Sequence, residues 1–67
     1  MTRKEAISLI ISKPNVKIRH RYFSEGEFVY TNGNGALKDE DGNYLPFDEF
    51  FDIRQGSYWE NDWSVIE

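Results

Sequence analysis

The chain has no cysteine, one histidine, two prolines, one methionine and no long apolar run. Each shortage excludes something. Without cysteine there are no disulfides and no thiolate zinc sites. His20 alone cannot build a histidine metal cluster, and no cofactor motif is present. The longest apolar stretch, Leu9-Ile10-Ile11, is far too short for a signal-peptide core or a membrane span. Acidic Glu5 also stands where a basic leader segment would precede one. The expected location is the cytoplasm of the cell that makes it.

What is present is aromatic. Phe, Tyr and Trp make up 16% of the 67 residues, against a net charge of only −4, so the chain is not of disordered composition. Each ring can bury about 150–250 Å². Residues 1–67 form a single domain, and one small core supplies only about 3–5 kcal/mol without a staple. With disulfide and metal excluded, good packing or a homo-oligomer has to make up the difference.

Charge is split along the chain. Residues 1–21 carry six basic groups against Glu5 alone, whereas residues 22–67 carry Lys38 and Arg54 against eleven carboxylates. The acidic total argues against general nucleic-acid binding, which needs a dominant basic surface. A small basic patch on an acidic body remains able to hold one anion.

The order of elements reads α-β-β-β-α-β. Thr2-Arg3-Lys4-Glu5 has capping-box spacing, and a helix follows through about Ser12 with Ala6, Leu9 and Ile10 on one face. Pro14 stops it, with Lys13 in the last turn. Val16 to Arg21 alternates with period two: Val16, Ile18 and His20 point one way, Lys17, Arg19 and Arg21 the other. Glu27 to Thr31 is a second strand, and Asn32-Gly33-Asn34-Gly35 a turn. Ala36 to Asp39 is a short third strand, and Glu40-Asp41-Gly42-Asn43 another turn. Pro46 opens a short helix through about Arg54, with Phe47, Phe50 and Phe51 on one face. Trp63 to Ile66 is the last strand. Hairpin-length links make the sheet antiparallel, so the fold class is α+β: an N-terminal helix on a small β-meander, a short second helix and a C-terminal strand.

Nothing assembles a catalytic group, and the chain reads as a binding protein, not an enzyme. Asp39-Glu40-Asp41-Gly42-Asn43 fails as a calcium loop, because position six is Tyr44 and position twelve Phe50. Two surfaces compete. Arg19 and Arg21, with His20 and Tyr22, are candidates for contacting a phosphorylated ligand; the same stripe could instead pair across the hairpin with Glu25 and Glu27. Asp39, Asp41, Glu49, Asp52, Tyr58, Trp59 and Glu60 are candidates for a protein interface, with carboxylates steering and aromatic anchors. Trp63 is expected to plug the core.

The Glu5-Ala6 helix, the strand ending in Ile18-Arg19 with an aromatic a few residues on, Phe28-Val29-Tyr30 and the closing Asp62-Trp63-Ser64-Val65-Ile66 together resemble a family of small phage proteins. Members include the anti-Thoeris proteins, which are similar to sponges that sequester nucleotide signals; others are associated with anti-CRISPR activity. The resemblance implies a non-enzymatic, host-directed or counter-defence inhibitor acting by stoichiometric binding. Its partner would be a bacterial immune protein or a nucleotide second messenger. The alternative is an accessory phage protein with a structural or interaction role and no defence target.

Overall fold

In the computed structural model, which describes residues 1–66, helix α1 (Arg3–Ser12) begins at the capping box read from the sequence. The Glu5 amide donates to Thr2 Oγ1 (3.1 Å) and the Thr2 amide donates to Glu5 Oε1 (2.9 Å). The reciprocal bonds satisfy amides that the first turn otherwise leaves without partners. Lys13 is the C-cap rather than a last-turn residue, and Asn15 then turns the chain at φ 69°. Ala6 and Ile10 are buried, Ile7 and Leu9 half-buried, and Ile11 is exposed, so the apolar stripe is narrower than the residues alone suggest.

Strands β1 (Lys17–His20), β2 (Val29–Thr31), β3 (Leu37–Asp39) and β4 (Tyr44–Leu45) form the meander, and α2 (Phe47–Asp52) then leads to β5 (Trp63–Ile66). All pairings are antiparallel and the strand order is β4-β3-β2-β1-β5. The mixed α+β class is as expected, with one addition: a two-residue strand, Tyr44–Leu45, makes the sheet five-stranded. The last strand does not extend the meander. The chain passes through α2 and the following loop to the opposite edge, where Ile18 faces Val65 and His20 faces Trp63.

Two hairpins share one turn device. Asn32 Oδ1 accepts from the amides of Asn34 and Ala36, and Asp39 Oδ1 from those of Asp41 and Asn43. In both, the glycine three residues on (Gly35, Gly42) has a φ near +80°, a conformation that strains any side-chain-bearing residue. The acidic run of the sequence is therefore a side-chain-closed turn whose first carboxylate is already occupied.

Both helices contribute to the core on one face of the sheet. Ala6, Ile10, Ile18, Val29, Leu37, Phe23, Phe50, Phe51 and Trp63 are buried together. Trp63 sits against Phe23 (5.6 Å between ring centroids), Phe51 (5.9 Å) and His20 (4.9 Å), and its indole N–H donates to Trp59 O (2.7 Å). Burying each large apolar side chain contributes roughly 1.5–3 kcal/mol. Arg3 locks the second helix: Nε donates to Arg54 O and Nη2 to Phe51 O, both at 2.8 Å. A cation on the last carbonyls of α2 is where its dipole favours one. Thr31 Oγ1 donates to Ile10 O, tying β2 to the end of α1.

Candidate binding surfaces

His20 lies within the fold. It is 0% exposed; its Nε2 lies 2.7 Å from Asn61 O, and its Nδ1 accepts the Tyr22 amide at 3.0 Å. Because the amide can only donate, Nδ1 is the acceptor and Nε2 carries the proton. Both ring nitrogens are thus occupied by backbone, and neither reaches a ligand. The alternation placed His20 on the inward face, where it pins the loop before β5 to the end of β1.

Arg19 and Arg21 come together in an open groove of about 630 Å³ beside β5, with Thr2, Glu5, Asp62 and Ser64 also in its walls. Arg19 Nη2 donates to Phe23 O (3.2 Å), and Arg21 lies against the Tyr22 ring, 5.9 Å from its centroid. Two carboxylates share the groove, so it is not a cradle of unopposed positive charge. The hydrogen bonds from Thr2 hold the Glu5 carboxyl below its ordinary pKa, which keeps that wall anionic. Cross-strand pairing with Glu27 does not occur. The Glu27 carboxylate accepts the Ser24 amide (2.9 Å) and faces Arg54 on the core side of the sheet.

Tyr22, Tyr58 and Trp59, assigned to two different surfaces from sequence, form one aromatic patch. Tyr22 and Tyr58 meet edge-on at 6.0 Å and are 55% and 71% exposed. Trp59 lies beneath them, half-buried, 6.3 Å from Tyr22 and 4.5 Å from His20. It supports the patch while its two tyrosine neighbours present it. Exposed Glu60 follows directly in the chain.

The carboxylate candidates separate. Asp39 and Glu49 line a groove of about 340 Å³ between α2 and the β2–β3–β4 side of the sheet, together with Glu27 and Glu40. Its floor is apolar: Val29, Leu45, Pro46, Phe50 and Ile53. Asp41 stays at the hairpin tip and Asp52 on the exposed side of α2. Ile53 is 74% exposed at the groove's end. Glu27, Glu40 and Ile53 were not among the interface candidates read from sequence; only the hairpin pairing and the helix packing bring them together.

Arg54 joins the groove to the aromatic patch. Its guanidinium lies 3.9 Å from the Phe50 ring centroid and 5.6 Å from that of Trp59, and Nη1 donates to Phe50 O at 3.0 Å. Burial lowers its pKa and the Glu27 carboxylate opposes that shift. Its Nε has no partner. The arrangement holds the groove's single cation back against aromatic rings, leaving four carboxylates at the rim.

The fold and these surfaces define a small α+β domain with a helix-covered antiparallel sheet and two grooves of unlike charge. Among the described residues no group of three or more His, Asp or Glu is arranged to hold a metal ion, and no helix is long and apolar enough to cross a membrane. No known protein family, curated protein or solved structure matches the chain.

Proposed function

We propose that this chain acts by stoichiometric, non-catalytic binding to a basic protein, received in the acidic groove between α2 and β4. The observation that carries this reading is the groove's make-up: four carboxylates (Glu27, Asp39, Glu40 and Glu49) around an apolar floor ending in exposed Ile53. A lysine or arginine side chain presents both an apolar stem and a charged head, and such a groove suits both parts. The rim carboxylates steer encounter with a basic patch, and the Tyr22–Tyr58 pair on the other side of Arg54 offers flat rings for the edge of the same contact. The resemblance to small phage proteins points that partner towards a bacterial immune protein, making the chain a counter-defence inhibitor.

A nucleotide signal held by Arg19 and Arg21 is the competing reading, and their shared groove is what favours it. Glu5 and Asp62 in its walls weigh against a multiply charged phosphate ligand.

Affinity capture from nuclease-treated bacterial lysate separates the two. The protein reading expects one stoichiometric partner, its capture reduced at least about tenfold by Glu49→Lys combined with Ile53→Asp, and unchanged by Arg21→Ala. A phosphorylated small molecule released only on denaturation, and lost with Arg21→Ala, contradicts it.

A further inference from the structure

The two helices cover one face of the sheet and leave the other open. Alternation identifies the side chains on that open face: Lys17 and Arg19 alternate with buried Ile18 and His20, Tyr30 with buried Val29 and Thr31, Lys38 with buried Leu37. Tyr30, Lys38 and Tyr44 are directly opposite one another across β2, β3 and β4. The Lys38 ammonium lies 4.7 Å from the Tyr44 ring centroid, and that of Lys17 lies 4.9 Å from Phe28. Phe28 and Tyr30 are 6.2 Å apart at 40°. Tyr44 is 69% exposed.

None of the described strand residues on this face carries a carboxylate. Ser64 and Ile66 are opposite Arg19 and Lys17 on β5. Of the carboxylates nearest these residues in sequence, Glu27, Asp39 and Glu40 line the α2 groove on the other side, and Asp62 lines the groove that Arg19 borders. The strand residues of this face, with Phe28, therefore place three cations among three aromatic rings with no carboxylate between them, and Arg19 alone, at the β5 edge, also borders the groove that holds Glu5 and Asp62.

We propose that this open sheet face binds single-stranded nucleic acid, with Phe28, Tyr30 and Tyr44 stacking on bases and Lys17, Arg19 and Lys38 contacting phosphates. Stacking is available to any unpaired base and closed to bases inside a duplex, which fits a flat aromatic surface rather than a groove-reading element. Tyr30 and Tyr44 stand two strands apart, about 10 Å at the usual strand spacing, so they serve different bases and do not sandwich one. The net charge of −4 argues the other way only if the molecule acts as a point. Its smallest extent is 20 Å, whereas salt screens charges beyond about 8 Å at physiological ionic strength. Carboxylates on the far side of the molecule therefore add little to the field over this face, whose own strand residues are cationic. This surface is separate from the acidic groove, and its occupancy does not depend on that groove's function.

The test is fluorescence anisotropy with a labelled oligothymidylate of about twelve nucleotides, alongside a duplex of equal length. The proposal expects saturable binding that favours the single strand. The slope of log affinity against log salt should be about −2, as three phosphate contacts on a single strand give. Tyr44→Ala and Lys38→Glu should each weaken binding about tenfold, with circular dichroism confirming that the fold is intact, while Glu49→Lys should not weaken it. Absence of saturable binding, preference for the duplex, or loss caused by Arg21→Ala and not by Tyr44→Ala would overturn it. So would displacement of the oligonucleotide by polyglutamate at lower concentration than by unlabelled oligothymidylate, which would assign the face to an acidic protein.

Discussion

A single buried imidazole shows how tightly this small chain is committed. His20 has two backbone partners, the Tyr22 amide and the Asn61 carbonyl, and lies within 6.3 Å of the rings of Tyr22, Phe23, Trp59 and Trp63. Replacing it by leucine keeps the apolar volume but leaves a donor and an acceptor without partners, each costing about 1–3 kcal/mol. A core of this size supplies about 3–5 kcal/mol in all. His20→Leu should therefore bring the urea midpoint, followed by tryptophan fluorescence, close to zero; a loss below about 1 kcal/mol would contradict the role assigned to the ring. The inward direction of His20 was legible from the period-two alternation. Its partner Asn61 was not, because it is 41 residues away and local pattern carries no information on such a pair. The same holds for Arg54: the helix expected to reach it ends at Asp52, with Ile53 as its cap, and its place among Phe23, Phe50 and Trp59 depends on packing.

At the scale of elements, the signals that read correctly are those with local physical causes. Thr2 and Glu5 make the expected capping box, turns form at 32–35 and 40–43 where the Asn and Gly residues indicated them, and Phe50 and Phe51 are buried with Phe47 half-buried beside them. The capping box carries a pH dependence. The Thr2 bonds lower the Glu5 pKa from 4.5, so the carboxylate's contribution is fully present above that value. It is lost as pH falls through the depressed folded value. Glu5→Ala should lower the melting temperature at pH 7 and make progressively less difference as pH falls below 4.5. An undiminished difference well below that pH would show that the carboxylate is not the stabilising form. What was missed is short or long-range. Strand β4 has two residues, too few for any periodicity, and β2 begins later than its β-forming residues suggest because the Ser24–Glu27 turn takes up the start. The Arg3 bonds that hold the end of α2 join residues 48 and 51 apart.

For the whole molecule, the lesson concerns charge. Along the chain the cations gather in the first third and the carboxylates in the rest. Folding sorts them differently: Lys38, from the acidic part, joins Lys17 and Arg19 on the open sheet face, while Glu27, Asp39, Glu40 and Glu49 meet across the α2 groove. Linear position could not show this, since the side of the sheet each residue faces is set by strand register. Of the surfaces read from sequence, the arginine pair and the carboxylate pair Asp39–Glu49 were each brought together; Tyr22 moved to the aromatic patch and His20 into the interior.

The central claim is that two faces of opposite sign bind independently, and amide chemical-shift mapping on the ¹⁵N-labelled protein tests it most directly. A short basic amphipathic peptide is added first and the oligothymidylate second. The account predicts that the peptide shifts Leu45, Glu49, Ile53 and Arg54, that the oligonucleotide shifts Lys17, Tyr30, Lys38 and Tyr44, and that both stay bound together. Displacement of one ligand by the other, or a common set of shifted residues, would contradict it.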